Sequence, residues 1–322
     1  MKKEELRIVF MGTPDFAVES LRCLVEGGYN VVGVVTMPDK AVGRHQSERT
    51  ASPVKQYAAA QGLPVLQPEK LKDPAFLDEL RALRADLQIV VAFRMLPEAV
   101  WAMPRLGTFN LHASLLPQYR GAAPINWAVI NGETETGVTT FFLRHAIDTG
   151  DIIRQVRTPI ADTDTAGDVH DRLMHIGGRL VVETVDSILD GTATAVPQSS
   201  VDAPAELQPA PKIFKDTCCI DWSRGVKAVY DFVRGLSPYP AAWTELHNGE
   251  KTLTLKIFAT EKHFCTPSSA VGEVECDGQE LFKIATTDGY LTVTELQLAG
   301  KRRMNVKDFL RGFHVADDCR VG

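Results

Sequence analysis

The 322-residue sequence predicts an α/β fold, in which a doubly wound, mostly parallel sheet is followed by a smaller antiparallel β-barrel domain. Two observations predict it. In the first part of the chain, short apolar runs alternate with helical segments, as they do in doubly wound sheets. In the last third, short strand-like runs are separated by Asn-Gly and Asp-Gly turns, as in small antiparallel barrels.

The chain begins with a strand-helix-strand unit. Residues 7–12 form a continuous apolar run, which is typical of a strand buried on both faces of a parallel sheet. Thr13 is the expected cap of the following helix, and Gly27 and Gly28 are expected to end it. Residues 31–36 then supply a second strand parallel to the first.

Two further strands, at residues 88–93 and 107–111, are separated by a helical stretch at 97–101. They extend the first unit into a Rossmann-like sheet. Ligands of such sheets bind outside the carboxyl ends of the parallel strands. The chain order brings three such ends to one crevice, at Gly12, Phe93 and the segment 110–112.

The chain after Pro124 completes this sheet. Strands are expected at 138–143 and 152–156, and a turn at 148–151 joins them. A helix is expected over 168–189.

A linker then leads to the barrel. Prolines and small residues accumulate from 192 to 211, which is typical of a domain boundary. We therefore predict a first domain over residues 1–207 and a second over 208–322. The second domain begins with a helix over 226–236. Five strand-like runs follow it, at 243–246, 252–258, 272–275, 281–286 and 290–298.

Composition and charge exclude several classes of protein. The 44% hydrophobic and 24% charged content is that of an ordinary globular protein. The net charge of −6 argues against nucleic-acid binding by bulk charge. Up to residue 207 there are 20 Lys and Arg against 26 Asp and Glu, and beyond it 15 against 15. The second domain is therefore the better surface to meet a polyanion.

Neither a metal site nor a membrane span is expected. The six cysteines contain no C-x-x-C pair, which favours reduced, cytosolic thiols. His170 and His175 are five apart and do not form the paired ligands of a zinc protease. No apolar run reaches the ~20 residues that cross a bilayer, and the acidic N-terminal residues do not fit a transit peptide. We expect a cytoplasmic protein that needs no metal.

Asn110 and His112 are the first candidate site residues. Side chains alternate along a strand, so these two point the same way while Phe109 and Leu111 face the core. A Pro- and Gly-containing loop follows, and its backbone from 114 to 117 can present a hydrogen-bonding edge to a flat ring. The alternative is that the two side chains merely satisfy a turn.

Asp148 completes a chemically useful set. An Asn, a His and an Asp at one crevice can polarise a carbonyl, stabilise an oxyanion and move a proton. No G-x-S-x-G elbow is present, and Ser114 has no evident base. The set therefore suits direct acyl transfer to a nucleophile supplied by the substrate, unless Asp148 only stabilises its own turn.

Two other features border the predicted crevice. Gly12 follows the first strand, but the second and third glycines of G-x-G-x-x-G are missing, so a nicotinamide cofactor is not expected. The polar loop at 39–52 follows the second strand and borders the crevice, either as a functional loop or as a solvated one.

Taken together, the motifs resemble those of the methionyl-tRNA formyltransferases, in the 10-formyltetrahydrofolate-dependent formyltransferase family. The resemblance covers nearly the full chain. Its segments lie at 12–18, 38–39, 43–44, 52–55, 110–117, 119–124, 148–151, 220–223 and 238–240.

The resemblance implies transfer of the formyl group of 10-formyltetrahydrofolate to the α-amino group of methionyl initiator tRNA. It implies that Asn110 and His112 donate hydrogen bonds to the developing oxyanion. Asp148 would orient His112 and assist proton transfer through water. The barrel would be an oligonucleotide-binding (OB)-like domain that holds the tRNA stem, and the protein is expected to be a monomer.

The same resemblance implies two sets of binding residues. The folate co-substrate would contact Phe93, Arg94, Met95, Ser114, Leu115, Leu116 and Pro117. The tRNA would contact Lys40, Arg44, Arg49, Lys301, Arg302 and Arg303.

The sequence departs from the family pattern in three places. A lysine pair that usually follows Gly-Arg is replaced by the segment 45–48, the stretch 92–97 is one residue short, and the segment 144–146 replaces an acidic one. The sequence leaves two alternative functions open. One is formylation of a sugar-nucleotide amine, and the other is a non-catalytic folate- or tRNA-binding module.

Overall fold

A computed structural model describes residues 2–42, 48–204 and 206–322. Contacts between residues group the chain into two compact units. The first comprises residues 1–121, 137–158 and 170–209. The second comprises 122–136, 159–169 and 210–322.

The helices and strands follow the order expected of an α/β sheet and then a barrel. The strands are β1 (Ile8–Gly12), β2 (Val31–Val35), β3 (Lys40–Val42), β4 (Glu48–Thr50), β5 (Val65–Leu66), β6 (Leu87–Val91), β7 (Thr108–His112), β8 (Arg120–Gly121), β9 (Glu135–Phe142), β10 (Ile152–Pro159), β11 (Pro209–Ala210), β12 (Ala242–Asn248), β13 (Lys251–Phe264), β14 (Val274–Cys276), β15 (Phe282–Ala285), β16 (Gly289–Leu298), β17 (Met304–Asn305) and β18 (Arg320–Val321). The helices are α1 (Asp15–Glu26), α2 (Pro53–Ala60), α3 (Pro74–Ala82), α4 (Glu98–Trp101), α5 (Pro124–Ile130), α6 (Ala166–Leu189), α7 (Val226–Leu236) and α8 (Val306–Leu310).

The predicted Rossmann-like sheet is confirmed. Its strand order is β10-β9-β7-β6-β1-β2-β5, and β1 pairs in parallel with both β2 and β6. β7 continues the parallel part beside β6, whereas β9 pairs with β7 in the antiparallel sense. All five residues of β1 are buried, as the continuous apolar run predicts. The carboxyl ends of β1, β6 and β7 therefore point to the same edge of the sheet.

The helix starts in this unit are partly as predicted. α1 begins at Asp15, its N-cap is Pro14 in an extended conformation, and no side chain caps it. The prediction that Thr13 caps this helix is wrong, because Thr13 lies one residue before the N-cap and its Oγ1 is buried without a partner among the described residues. α2 and α3 were not predicted, although Ser52 and Asp73 cap them and proline occupies the first turn of each.

The second unit contains the predicted barrel. Its strand order is β14-β15-β16-β13-β12-β18, with β17 added to β16. An antiparallel bridge between Glu273 and Arg320 joins the two ends of this sheet, so the barrel is nearly closed. The amphipathic helix α7 buries Val226, Val229 and Val233 in the same core as the barrel strands.

In the part of the chain that the structure describes, no helix combines the length and apolarity required to span a bilayer.

Candidate active site

Strand β7 positions Asn110 and His112 in the first unit. Asn110 lies opposite Val90 of β6 and Phe141 of β9, and His112 lies opposite Thr139. Asn110 is half-buried, whereas His112 retains only 6% of its exposed surface. Both residues stand at the carboxyl end of a strand in the middle of the sheet, which is where this class of fold binds its ligands.

His112 is held by one hydrogen bond. Its Nε2 lies 2.9 Å from the carbonyl oxygen of Tyr119. A carbonyl oxygen can only accept a hydrogen bond, so Nε2 carries the proton in this contact. Nδ1 has no hydrogen-bond partner among residues 2–42, 48–204 and 206–322. The neutral imidazole therefore presents an unprotonated Nδ1, the atom that can accept a proton.

Asp148 lies on the turn between β9 and β10. Its backbone is in the left-handed region, with φ of 52°. Its Oδ2 accepts a hydrogen bond of 3.1 Å from the backbone N–H of Gly121. His112 and Asp148 thus bind the two ends of the segment 119–121. No hydrogen bond within the described ranges links the two side chains directly.

The loop that follows β7 is fixed by buried polar side chains. Thr139 Oγ1 donates to the carbonyl oxygen of Ser114 at 2.6 Å and accepts from the backbone N–H of Leu116 at 3.2 Å. Gln155 Nε2 donates to the carbonyl oxygen of Leu116 at 2.8 Å. Ser114, Leu116 and Pro117 are buried, and Leu115 is half-exposed. Part of the backbone edge predicted to meet a flat ring is therefore bonded to the protein itself.

The residues after β6 form the neighbouring part of this edge. The Arg94 guanidinium donates to the carbonyl oxygens of Pro68 and Glu69, the latter at 2.8 Å, and it lies over the ring of Phe93. Burial lowers the pKa of Arg94 from its ordinary value. Its Nε is buried without a partner among the described residues. Met95 is 73% exposed and provides apolar surface beside it.

The polar loop at 39–52 begins and ends in a two-stranded ribbon, β3 and β4. Lys40 and Arg49 are both exposed, and Arg44 lies outside the described residues. Asp39 accepts from Lys55 Nζ at 2.6 Å and from Gln67 Nε2 at 2.8 Å. These bonds, the Lys55 bond foremost, lower the pKa of the Asp39 carboxyl.

The predicted basic segment of the second unit contains three exposed residues, of which Arg303 is paired. Arg303 forms two hydrogen bonds with the Glu295 carboxylate, at 2.7 and 2.5 Å, and lies over the ring of Phe258. Lys301 and Arg302 are exposed. This cluster belongs to the second unit, whereas Lys40 and Arg49 belong to the first.

Sequence reasoning missed the side chains that hold the predicted site in place. Thr139, Gln155 and Gln198 are polar residues in or near the first-unit site, and each donates to a backbone carbonyl there. Thr139 and Gln155 lie on predicted strands, where an inward polar residue is a usable signal. Gln198 lies in the proline-containing linker, and nothing in its local sequence marks it.

The described residues contain no group of three or more His, Cys, Asp or Glu side chains arranged to hold a metal ion.

Comparisons with known proteins identify relatives along nearly the whole chain. A family model described as formyl transferase matches residues 6–185, and a second, described as formyl transferase, C-terminal domain, matches 212–314. A methionyl-tRNA formyltransferase of Parabacteroides distasonis is 69% identical over 100% of both chains. One of Porphyromonas gingivalis is 49% identical, again over 100% of both chains.

A solved structure shows the same fold at low identity. It is an N-formyltransferase from Helicobacter canadensis in complex with folinic acid and dTDP-3-aminofucose, which is 19% identical with a TM-score of 0.63. The match covers 93% of this chain and 100% of that chain. At this identity the likeness concerns the fold alone.

Proposed function

This chain belongs to the formyltransferase family, and we propose that it transfers the formyl group of 10-formyltetrahydrofolate to the α-amino group of methionyl initiator tRNA. The observation that carries the proposal is the similarity to methionyl-tRNA formyltransferases over both complete chains, at up to 69% identity. The arrangement of Asn110, His112 and Asp148 supports the chemistry, and the relatives support the acceptor. The activity would take place in the cytoplasm, where charged tRNA is used, and we expect the protein to act as a monomer.

The reaction exchanges one C–N bond for another. The lone pair of the free α-amine attacks the formyl carbon, and the bond from that carbon to N10 of the folate breaks. The attacking nitrogen loses one proton and N10 gains one, so no net proton is consumed. Because the substrate supplies its own nucleophile, the protein needs only to orient the reactants, stabilise the oxyanion and move that proton.

His112 is the proton acceptor in this proposal. Its Nε2 is occupied by the Tyr119 carbonyl, 2.9 Å away, so the neutral ring can take a proton only at Nδ1. Once protonated there, it becomes a donor and can hydrogen-bond the oxyanion or return the proton to N10. The role implied by the family resemblance, donation to the oxyanion, thus applies to the protonated ring.

Asn110 and Asp148 complete the set. The Asn110 amide carries two N–H donors and remains half-buried, so it can donate to the oxyanion before and after the proton moves. Asp148 uses Oδ2 to bind Gly121 N–H, which leaves Oδ1 for a water that passes a proton to or from the reacting nitrogen. The proposed chemistry invokes no metal ion, because side chains supply the polarisation.

The residues at the folate edge fit the co-substrate, which supplies an activated formyl group. Arg94 Nε is a buried donor without a partner in the described chain, and Met95 offers exposed apolar surface. A flat ring with acceptor atoms and an apolar face matches both features. We propose that Phe93, Arg94 and Met95, with the segment 114–117, hold this co-substrate.

For the tRNA, the proposed contacts are Lys40, Arg44 and Arg49 in the first unit and the segment 301–303 in the second. Exposed Lys and Arg side chains recognise phosphates without reading sequence. Arg303 is already paired with Glu295, so Lys301 and Arg302 would carry most of the contact in that segment.

Formyl transfer to methionyl initiator tRNA tests the proposal directly. The enzyme is assayed with charged tRNA and, separately, with an aminosugar nucleotide, and Arg44→Ala is compared with Arg81→Ala, a control on α3. We expect formylation of the tRNA only, and a KM for tRNA that rises about tenfold in Arg44→Ala, a loss of about 1.4 kcal/mol. Formylation of the sugar nucleotide instead would overturn the proposed acceptor.

A further inference from the structure

Gln198 is a buried polar residue in an otherwise exposed stretch. It begins a short 3-10 turn, residues 198–200, and keeps only 5% of its exposed surface, whereas Pro197, Ser199 and Ser200 are exposed. A buried amide is costly unless its hydrogen bonds are satisfied. The hydrogen bonds of this side chain therefore indicate its role.

The Gln198 amide uses its full hydrogen-bonding capacity. Its Nε2 donates to the carbonyl oxygens of Asp148, at 2.8 Å, and Gly150, at 2.9 Å. Its Oε1 accepts from Arg120 Nε, at 3.1 Å, and Nη2, at 2.5 Å. Two donors and two lone pairs are all that an amide offers. Only one orientation satisfies this network, because a flipped amide would set oxygen against both carbonyls.

These contacts hold the backbone of the turn that carries Asp148 on one side and the Arg120 side chain on the other. Asp148 itself has a backbone in the left-handed region, which a non-glycine residue keeps only when its surroundings hold it there. Its carboxylate binds Gly121 N–H, and Gly121 directly follows Arg120. Gln198 therefore bonds to the backbone of Asp148, whose carboxylate accepts from Gly121 N–H. It also bonds to the side chain of Arg120, the residue before Gly121.

The segment that carries Gln198 is itself attached to the strand after this turn. The backbone of Val196 pairs with Ile152, with N–H to carbonyl distances of 2.8 and 2.9 Å. The linker thus enters the first unit as a short added strand two residues before Gln198. This pairing places the amide against the Asp148 turn.

We propose that Gln198 is a positioning residue for the Asp148 carboxylate, so that the linker contributes a side chain to the catalytic centre. The inference rests on the proposed role of Asp148 in formyl transfer. Gln198 makes no contact with the substrates in this proposal and acts only by holding the turn at 148–150 against Arg120.

Three variants test this role. Gln198→Met keeps the length of the side chain but removes every hydrogen bond. Gln198→Glu keeps the acceptor for Arg120 but presents oxygen to the carbonyls of Asp148 and Gly150. Ser200→Ala, in the same turn, is the matched control, because Ser200 is exposed and its Oγ donates only to the carbonyl oxygen of Pro197.

We expect both Gln198 variants to lower kcat by up to about 100-fold, as a small misplacement of a reacting group does. KM for both substrates should stay within about threefold, since the substrate contacts are intact. Ser200→Ala should match the unmodified enzyme. Thermal unfolding of each variant reports whether it is folded. If Gln198→Met does not fold, the kcat of Gln198→Glu tests the proposal.

A double-mutant cycle separates positioning from a general structural effect. In an Asp148→Asn background, Gln198→Met should cost less than about threefold in kcat, because the charged carboxylate it positions has already been removed. A kcat equal to that of Ser200→Ala, or the same loss in both backgrounds, would overturn the inference. If Asp148→Asn itself keeps full activity, the proposed role of Asp148 fails instead, so the two failures are distinct.

Discussion

His112 and Asp148 bind opposite ends of one three-residue segment, 119–121. His112 Nε2 donates to the Tyr119 carbonyl at 2.9 Å, and the Gly121 N–H donates to Asp148 Oδ2 at 3.1 Å. His112 lies at the end of β7 and Asp148 on the turn between β9 and β10, and both side chains bond to this one segment. A shift of 119–121 would therefore move both groups together.

Removing the His112 imidazole should abolish most of the formyl transfer. His112→Ala loses the proposed proton acceptor, and loss of general acid-base catalysis typically costs about 10²- to 10⁴-fold in kcat. The measurement is single-turnover formylation of methionyl initiator tRNA. His175→Ala, a half-exposed histidine on α6, is the control and should retain the original rate. Equal activity of the two variants would contradict the role assigned to His112.

Neutralising Asp148 should separate the effect of its charge on catalysis from the effect of its hydrogen bond on stability. Asp148→Asn keeps an oxygen that can accept from Gly121 N–H but carries no negative charge, so kcat should fall while the unfolding temperature changes little. Asp148→Ala should lower both. Asp151→Asn, which removes the charge that pairs with Arg144, provides the comparison. Full turnover in Asp148→Asn would show that its charge is not used.

Basic residues of the second unit should affect tRNA binding through phosphates. Lys301→Ala and Arg302→Ala should each weaken binding to any tRNA and reduce the slope of log K against log salt by about one. Arg303→Ala should change the slope less, because Arg303 is already paired with Glu295. Filter binding at several salt concentrations measures these slopes, and an unchanged slope in all three variants would remove this segment from the tRNA-binding surface.

Acid should destabilise the barrel through Glu275. Hydrogen bonds from Lys283, Ser269 and Tyr290 lower the pKa of Glu275 to about 2. A carboxyl whose pKa is lower in the folded state stabilises the fold above its unfolded pKa of about 4.3 and loses that contribution as pH falls toward 2. Because Glu275 is one-third exposed, we expect about 1 kcal/mol after solvent screening.

Urea unfolding at pH 7 and pH 3 checks the Glu275 prediction. Glu275→Gln should be less stable than the unmodified protein at pH 7, and that difference should fall to about half at pH 3. The exposed Glu250→Gln is the control and should show the same difference from the unmodified protein at both pH values. A Glu275→Gln difference that does not depend on pH would refute the assignment.

A side chain at Gly150 should disturb the turn that carries Asp148. A Cβ there would lie 1.6 Å from the carbonyl oxygen of Phe142, a backbone atom that cannot move aside cheaply. Gly150→Ala should therefore lower both stability, by more than about 2 kcal/mol, and kcat. In Gly191→Ala the added Cβ has no atom within 4 Å, so this variant measures only the loss of stability from placing alanine in the left-handed backbone region. Chemical unfolding and formylation rates compare the two, and equal effects would contradict the steric argument.

The architecture was predictable because its signals are local. Apolar runs predicted the sheet strands to within a few residues, and Val226–Leu236 agrees with its predicted bounds. The helix start after β1 was misassigned because Thr13 has a side chain suited to capping, whereas Pro14 occupies that position. Short elements such as β17 and β18 carry too few residues to show a pattern.

The sequence by itself determined the fold class, the family resemblance and which polar side chains stand at the carboxyl end of β7, since strand alternation and turn chemistry act between near neighbours. Only the tertiary structure decided which ring nitrogen of His112 bonds the Tyr119 carbonyl and that Gln198 holds the Asp148 turn. The physical reason is that these hydrogen bonds join backbone and side-chain atoms from segments far apart in the chain, and their partners are set by how the strands pack rather than by any residue pattern.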